Sequence, residues 1–406
     1  MGFILLFLAY MIPTEPMIEN ARASIDIFKI EGAFAQNIHG YQSTTLDNYT
    51  DALMLRHALY NGEESVLQKS MRVYCYGYKD GETTDSAQRL IDWLEGREGY
   101  ERTDYARYWH GYLTVLKPLL YLFDYGDIRG ILKFTGLALL IWICVFLEKI
   151  HMSRFIPAFV AAMACMEFHT IGMSMQYTWV FIISMSFSIY ILKKTQGIKK
   201  KQVTSLLFLV IGMTTSYFDF LTYPLFTLGI PLLFWTICMK GTENEARLLL
   251  LAVKNSIYWA MGYVGMWVEK WILCTILTGE NLFADAVHSV MIRSGSNVSG
   301  KNIGYWDVVY KNIMVIAKYP YALAVLVAAV IIFFVCGTKC TSGFSKEAFL
   351  TYLYIGALPF GWYMISVNHS YIHSFMTYKS LSITVFALLC AWGEMKCLIK
   401  AQIKTD

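Results

Sequence analysis

The sequence predicts an all-α membrane protein, a bundle of about ten transmembrane helices with a helical loop region on the outer side. Composition is the first observation: 56% of the 406 residues are hydrophobic and 16% are charged, whereas soluble domains are about half apolar and about a quarter charged. The second is that apolar residues occur in runs near the length of about 20 residues that crosses a bilayer. The third is that the formal net charge is only +4 and that the Lys and Arg residues are spread over many loops. Without a concentrated basic face, no nucleic-acid partner is expected.

The predicted spans follow the apolar runs along the chain. The first, Phe3 to Ile12, is short and is stopped by Pro13; we interpret it as a span that begins upstream of this chain. Nine longer runs lie near residues 131–148, 155–171, 176–192, 203–219, 222–238, 248–277, 316–336, 349–366 and 381–395. The chain is thereby divided into a first span at 1–12, a loop region at 13–130 and a bundle at 131–406.

Basic residues in short loops indicate the orientation, because they stay on the cytoplasmic side. The strongest signal is the run KKTQGIKKK from Lys193 to Lys201, and the connectors at 172–175 and 220–221 on the opposite side carry no Lys or Arg. Alternation from this run places both termini in the cytoplasm and the long segments 13–130 and 278–315 outside. The expected location is the plasma membrane, with the lipid bilayer as a partner.

Three helices are predicted in the first outer segment. In TDSAQRLIDWLEG the hydrophobic residues from Ala87 to Leu94 have amphipathic spacing, and Thr84 or Asp85 marks the start. LDNYTDALMLRHALYNG predicts a second helix. The third stretch, GYLTVLKPLLYLFDYG at 111–126, is apolar but contains Pro118, which is expected to interrupt it. We therefore expect this stretch to lie along the outer membrane surface.

Histidines and ionisable residues within apolar runs collect on the predicted outer side. Seven of the eight histidines are placed there, at His39, His57, His110, His169, His288, His369 and His373. A charge near the bilayer centre costs about 2.5–3.5 kcal/mol, so such residues tend to face a polar cavity. Their common location predicts one cavity open to the outer face. For each residue taken by itself, the alternative is a structural charge that is paired with a neighbour or lies at the membrane interface. The ionisable residues at the outer ends of spans are Glu167, His169, Asp219, Glu269 and Lys270.

Acidic and aromatic candidates lie in the first outer segment. Asp47 and Asp51 are four residues apart, which places both on one helix face. They are candidates for a general base and a partner that tunes it or binds a cation, and acidic residues of a first helical turn are the alternative. In YARYWHGY, Arg107, Trp109 and His110 suit sugar stacking or phosphate binding, and an aromatic belt at the headgroup level is the alternative.

The stretch SVNHSYIHSFMTYKS joins the last two predicted spans on the outer side. Asn368, His369, His373 and Lys379 within it are candidates for recognising an anion such as a phosphate. Interfacial anchoring by the aromatic residues and the lysine is the alternative. A metal site is not predicted, because a histidine pair at i, i+4 without a third ligand is a weak metal signature; a divalent cation is left open as a cofactor.

A short first span, a large outer segment with acidic residues and surface helices, and a bundle of further spans resemble the layout of the GT-C class of membrane glycosyltransferases. The resemblance implies transfer of a sugar from a polyprenyl-phosphate-linked donor to a glycan, lipid or protein acceptor of the cell envelope. It implies that Asp47 or Asp51 removes the proton of the acceptor hydroxyl. The leaving phosphate would be stabilised by donors at Arg107, His110, His369, His373 and Lys379.

Three other functions fit the same sequence. A transporter or flippase for a lipid-linked or anionic substrate needs polar residues along a whole path, whereas here they become fewer toward the inner side. A non-enzymatic envelope assembly protein would use the outer segment as a docking surface and would tolerate the loss of Asp47 and Asp51. A membrane acyltransferase would use His369 or His373 as its base.

Overall fold

The computed structural model describes residues 2–78, 85–195, 204–336 and 343–405. Helices make up nearly all of the regular structure, so the predicted all-α class is confirmed. Thr84 and residues 196–201 of the basic run lie outside the described residues. The helices are α1 (Gly2–Ala9), α2 (Glu15–Ala23), α3 (Ile25–Glu31), α4 (Asn48–Ala58), α5 (Val66–Arg72), α6 (Ser86–Leu94), α7 (Leu113–Leu122), α8 (Tyr125–Lys149), α9 (Ile156–Cys165), α10 (Met175–Lys194), α11 (Ser205–Phe218), α12 (Phe226–Met239), α13 (Leu248–Thr278), α14 (Phe283–Ser294), α15 (Tyr305–Ala317), α16 (Pro320–Cys336), α17 (Lys346–Ile365), α18 (Val367–Ile372), α19 (Ser374–Thr377) and α20 (Leu381–Thr405).

Each of the apolar runs contains a helix. Within the described part of the chain, four helical segments are long and apolar enough to cross a membrane: Tyr125–Lys149, Met175–Lys194, Lys346–Ile365 and Ser374–Leu398. Other apolar helices are shorter; α12, for example, has 14 residues, or about 21 Å of rise. The lengths and compositions support a membrane-associated helix bundle, and the number of ten spans stays a prediction.

Two predicted spans are interrupted. The run at 155–171 is helical only as far as Cys165. At Glu167 the backbone has a positive φ of 52°, and a 3-10 turn at Phe168–Met173 follows. The run at 316–336 begins in the last turn of α15, and α16 starts anew at Pro320, because proline lacks the N–H that a continuing helix requires but suits a first turn.

The helices that join the first loop segment to the bundle differ from the prediction. Pro118 does not interrupt α7, which continues to Leu122; the carbonyl that the proline leaves without a donor belongs to the first turn of this helix. The next helix, α8, begins at Tyr125, earlier than the predicted boundary at 130. Asp124 is its N-cap and accepts a hydrogen bond from the backbone N of Asp127 at 2.9 Å.

The first loop segment contains strands as well as helices. The predicted helix at α6 is confirmed: Asp85 caps it through a bond from the backbone N of Ala87 at 2.8 Å, and Leu90 and Leu94 are buried. The sequence does not predict two small antiparallel sheets that accompany the helices. One, in the first loop segment, pairs β1 (Tyr74–Tyr78) with β2 (Tyr100–Asp104), and the other, in the second loop segment, pairs β3 (Asn297–Val298) with β4 (Lys301–Asn302).

Two glycines allow α11 and α13 to approach each other closely. A Cβ atom at Gly212 would lie 2.0 Å from the carbonyl oxygen of Trp259, and one at Gly262 would lie 2.1 Å from that of Leu209. Both obstacles are backbone atoms, which cannot move aside as a flexible side chain can. The two helices are therefore held backbone to backbone, as small residues permit between membrane helices.

Gly212→Val is expected to lower the free energy of unfolding by about 1–3 kcal/mol or more, because the added side chain forces the two backbones apart. The measurement is thermal denaturation of the detergent-solubilised protein. Gly265→Val is the matched control, because a Cβ at Gly265, on the partner helix α13, meets nothing within 4 Å. Equal stabilities of the two variants would contradict this packing.

The long loop segments and the connector at 366–380 meet at one end of the bundle, called the site end below. The Tyr378 hydroxyl donates to the carbonyl of Ser43 at 2.7 Å. Arg107 in the first loop segment forms an ion pair with Asp285 in the second at 2.8 Å. Segments that the sequence places on one side of the membrane are therefore in direct contact.

Candidate functional site

Asp47 is a buried carboxyl at the start of α4. It is the N-cap of this helix, and its Oδ1 accepts a hydrogen bond from the backbone N of Thr50 at 3.1 Å. Burial raises the pKa of Asp47 to about 7 in spite of this bond, and the nearby Asp51 adds a smaller rise. A carboxyl that titrates near neutral pH is suited to general base catalysis.

Asp51 binds the start of α10 from a distant part of the chain. Its carboxylate accepts hydrogen bonds from the backbone N of Met175 at 2.8 Å and of Gln176 at 2.9 Å. The hydroxyls of Tyr125, at 2.7 Å, and Ser174, at 3.3 Å, also donate to it. A carboxylate is favoured at a helix N-terminus by the unpaired N–H groups and the dipole. Because both oxygens are used in this way, Asp51 holds α4 against α10, and Asp47 is the better candidate for the base.

The connector at 366–380 contributes a lysine to a buried polar cluster. The Lys379 ammonium donates to the carbonyl of Met166 at 2.9 Å, to the hydroxyl of Thr170 at 3.1 Å and to that of Tyr378 at 3.2 Å. All three acceptors are neutral, and Glu167 lies close enough for its charge to act on the ammonium, so an anion bound here would meet a buried cation beside a buried carboxyl. We call this group the Lys379 cluster; it consists of the buried residues Ser43, Glu167, Thr170, Tyr177, Tyr378 and Lys379.

Tyr177 connects the Lys379 cluster to Asp47. Its hydroxyl donates to the carbonyl of Thr45, two residues before Asp47, at 2.9 Å. Asp47 lies close enough for its charge to act on the Tyr177 hydroxyl. The Tyr177 ring centroid lies 4.8 Å from Lys379 Nζ. A carboxyl and an ammonium from opposite ends of the sequence therefore both lie near one tyrosine.

Glu167 supplies a carboxylate to the cluster. Ser43 Oγ donates to Glu167 Oε1 at 3.3 Å, and His169 Nδ1 lies 3.4 Å from Oε2. The left-handed backbone of Glu167 costs about 1–3 kcal/mol for a residue other than glycine, and such conformations collect at functional sites. The structure therefore brings three of the sequence candidates together: Glu167, His169 and Lys379.

A loop at 219–223, called the Asp219 loop, links this region to the end of α11. The Asp219 carboxylate accepts hydrogen bonds from the backbone N and the hydroxyl of Thr222. Gln176 Nε2 donates to the same hydroxyl at 2.7 Å, while the Gln176 backbone donates to Asp51. A continuous chain of hydrogen bonds therefore joins the two candidate carboxylates Asp51 and Asp219.

His369 lies against the Asp219 loop in a neutral form. Its Nε2 is 2.7 Å from the carbonyl oxygen of Leu221, so this nitrogen carries the proton. Burial, with the charges of His373 and Arg293, holds the pKa of His369 well below its ordinary value. Burial likewise lowers the pKa of His373 to about 4. Neither imidazole is positively charged at neutral pH, and the cation at this position is Arg293, whose Nη1 lies 3.5 Å from His369 Nδ1.

His110 is held in a buried network of rings. Its Nε2 donates to the carbonyl of Tyr105 at 2.6 Å, so Nδ1 accepts from the Tyr112 hydroxyl at 3.2 Å. The Tyr112 oxygen in turn accepts from His57 Nδ1 at 2.9 Å. Burial holds the pKa of His110 well below its ordinary value. A neutral His110 has no free N–H for a phosphate, which corrects the role expected from YARYWHGY.

Trp109 and Lys270 attach α13 to the first loop segment. The Trp109 indole donates to the carbonyl of Met266 at 2.6 Å, and the Lys270 ammonium donates to that of Met71 at 2.7 Å. Both side chains are fully buried. Because backbone carbonyls accept both hydrogen bonds, no ligand is needed to explain why Lys270 and Trp109 are buried here. We therefore assign these two side chains to packing.

The remaining sequence candidates are half-buried or exposed. Arg107 is paired with Asp285, which closes the contact between the two loop segments. Glu269 is exposed on α13. Asn368 donates to the carbonyl of Asn297 at 2.8 Å. None of these contacts brings the three side chains to the Lys379 cluster, so they are not part of the candidate site.

Several residues of the site are not found by sequence reasoning. Ser43, Tyr177 and Arg293 belong to no motif, and their proximity to the candidates arises only in the folded chain. Gln176 gives the one visible signal, because it is an amide at the start of a predicted span. A polar side chain inside a membrane helix commonly has a partner in the bundle.

An apolar groove of about 230 Å³ borders the Lys379 cluster. Helices α9, α15, α16, α17 and α20 contribute to its walls. Cys165 and Leu381 line the groove, and both pack with Tyr378 in one apolar core. The Cys165 thiol is close enough to Glu167 and Lys379 for their charges to act on it. The groove therefore lies beside the Tyr378 side of the polar cluster.

Known proteins add no functional assignment to this geometry. No protein-family model matches the chain, and no match is found among the curated proteins or the solved structures. Among the described residues, no group of three or more His, Cys, Asp and Glu side chains is arranged to hold a metal ion. The chemistry of the site is therefore inferred from the buried carboxyl, the buried ammonium and the groove.

Proposed function

We propose that the protein is a membrane glycosyltransferase that moves a sugar from a polyprenyl-phosphate-linked donor to an acceptor of the cell envelope. One arrangement carries the proposal: Asp47 and Lys379 both lie near Tyr177, and the apolar groove lies beside Tyr378 of the same cluster. A lipid-linked sugar donor requires these three features together, namely a base, a cation for its phosphate and a groove for its hydrocarbon chain. The acceptor is an envelope glycan, lipid or protein.

Asp47 acts as the base in this reaction. Its carboxylate takes the proton of an acceptor hydroxyl while the acceptor oxygen forms a bond to the anomeric carbon of the sugar. The bond from that carbon to the phosphate oxygen breaks, and its electron pair leaves with the lipid phosphate. The proton remains on Asp47 until it passes to solvent, so the step balances with donor and acceptor as the only reactants.

Lys379 stabilises the phosphate as its negative charge develops. The ammonium is fully buried, and a charge interaction in such an environment is stronger than in water. Its hydrogen bond to Tyr378, at 3.2 Å, is the longest of the three. Exchange of this bond for one to a phosphate oxygen keeps the ammonium hydrogen-bonded throughout the reaction.

The proposal includes an orientation in the plasma membrane. The site end faces the extracytoplasmic side, and the chain crosses the bilayer about ten times with both termini in the cytoplasm. Three helices that begin at the site end support this orientation, because basic residues follow at their far ends. These residues are Lys149 of α8, Lys193 and Lys194 of α10, and Lys240 after α12.

Lys379→Met is expected to lower sugar transfer by about 10²–10³-fold, as when one donor to a developing negative charge is removed. Methionine keeps the unbranched apolar stem, so packing is largely retained. The variant is expressed in source cells that lack the native copy. Mass spectrometry of the envelope glycans measures the transfer.

Lys117→Met is the matched control for this experiment. Lys117 is also a buried lysine, 1% exposed, and donates to a backbone carbonyl, that of Ala58 at 2.7 Å, outside the Lys379 cluster. We expect this variant to transfer sugar at nearly the native rate. Normal transfer by Lys379→Met, which an envelope assembly protein predicts, would refute the proposed function, as would equal losses in both variants.

A further inference from the structure

A second cavity lies at the end of the bundle opposite the Lys379 cluster. Its volume is about 350 Å³, within the range of about 300–1,000 Å³ that holds small ligands. The start of α11, the end of α12 and the first half of α13 form its walls. Because α11 has 14 residues, about 21 Å of helix separates this cavity from the Asp219 loop.

Two buried donors in the cavity wall have no hydrogen-bond partner within the described chain. They are Trp235 Nε1 and Asn255 Nδ2, and the two residues are 3% and 2% exposed. An unpaired buried donor costs about 1–3 kcal/mol, and buried polar groups normally have partners. Both residues line the cavity, so a ligand that accepts hydrogen bonds would remove this cost.

The charges around the cavity favour an anion. Lys254 is exposed at the rim, and no Asp or Glu occurs among the described residues that line the cavity. The N-terminus of α11 lies in the wall, and its N-cap, Thr204, makes no side-chain capping bond. The positive end of this helix dipole is therefore directed to the cavity. N–H donors together with positive charge are the groups that recognise phosphate.

Apolar side chains continue from the cavity along the outside of α11 and α13. Leu206 and Val210 on α11 are 61% and 45% exposed, and Leu250 and Ile257 on α13 are 66% and 54% exposed. Acyl chains that extend from a bound headgroup would cover this surface. Free phosphate would occupy the polar cavity and leave the surface uncovered.

We infer that this cavity binds the phosphate of an anionic phospholipid, whose acyl chains lie along α11 and α13. Trp235 and Asn255 donate to the phosphate oxygens, and Lys254 interacts with the net charge of the headgroup. The site is distinct from the Lys379 cluster, and its ligand is not a substrate of the proposed transferase. Loss of transfer activity in other variants therefore leaves this inference untouched.

The test is lipid binding by the full chain in detergent, measured by native mass spectrometry. The probes are dioleoylphosphatidylglycerol, dioleoylphosphatidylcholine and inorganic phosphate. We expect tighter binding of phosphatidylglycerol than of phosphatidylcholine, and an increase in Kd of about tenfold for Trp235→Phe and for Asn255→Leu, since each loses a hydrogen bond to a charged group. Trp179→Phe is the matched control. The Trp179 indole is also buried and has no hydrogen-bond partner among the described residues, but it lies outside this cavity.

Lys254→Gln is a further variant that is expected to fold normally, because Lys254 is exposed. We expect it to weaken phosphatidylglycerol binding and to reduce the dependence of binding on salt. Displacement of phosphatidylglycerol by inorganic phosphate would support phosphate recognition and identify free phosphate as a second ligand of the cavity. Equal binding of both lipids, or native affinity in Trp235→Phe and Lys254→Gln, would overturn the inference.

Discussion

Asp51→Ala is expected to lower the free energy of unfolding by about 3–5 kcal/mol, the scale on which a buried charged network loses one partner. The substitution leaves two backbone N–H groups at the start of α10, those of Met175 and Gln176, without an acceptor. The Tyr125 hydroxyl loses its acceptor as well and keeps only the bond that Arg129 Nε donates to it at 3.0 Å. Thermal denaturation in detergent measures the change.

Asp85→Ala is the matched control for the Asp51 variant. Asp85 caps α6 by accepting a bond from the backbone N of Ala87 at 2.8 Å, within its own helix. Loss of such a cap costs about 1 kcal/mol. Stability losses of the same size in both variants would show that Asp51 is an ordinary residue of a first turn, as one interpretation of the sequence holds, and not a connection between α4 and α10.

The acidic side of the pH profile of sugar transfer is expected to have its midpoint at about pH 7, because burial raises the pKa of Asp47 to about 7. Below this pH the carboxyl is protonated and cannot accept a proton from the acceptor hydroxyl. Asp47→Asn is expected to reduce transfer by about 10²–10⁴-fold, the contribution of a general base. Rates of transfer measured over a series of pH values test both expectations.

Asp85→Asn is the control for the Asp47 variant, because both aspartates are N-caps and asparagine caps a helix about as well as aspartate. The control is expected to keep both the rate and the pH profile. A native rate in Asp47→Asn would exclude Asp47 as the base. A native profile that does not change near pH 7 would contradict its raised pKa.

The raised pKa of Asp47 also predicts how stability depends on pH. The folded protein holds the Asp47 proton up to about pH 7, whereas an unfolded aspartate releases it near about 3.9. Between these values the folded state binds more protons, so the Asp47 contribution makes the free energy of unfolding fall as the pH rises. Asp47→Asn removes this contribution, and thermal denaturation of both proteins across this range measures the difference.

The sequence predicts those parts of the fold that depend on local pattern. Apolar runs predict where helices form, because a helix in a bilayer satisfies its own backbone hydrogen bonds. The spacing from Ala87 to Leu94 and the cap at Asp85 define α6 almost to the residue. The break at Glu167 is not visible, because it depends on the contacts that hold a left-handed residue between α9 and α10.

The candidate site is predicted only in part, because it also depends on contacts between residues far apart in the sequence. The predicted topology places Asp47 and Lys379 on one side of the membrane, and both lie near Tyr177 in the structure. The role of Asp51 depends on a helix that begins more than 120 residues later. The neutral state of His369 depends on the carbonyl of Leu221. Neither contact has a local signature in the chain.

The close approach of α11 and α13 at Gly212 and Gly262 has a mechanical consequence. Two backbones that touch without intervening side chains are closely packed, and close-packed elements transmit displacement to one another, so we expect the pair to move as one rigid unit. The Asp219 loop lies at one end of this pair, and the cavity near Trp235 lies at the other. A tilt of the pair at one end of the bundle is therefore expected to reach the opposite end.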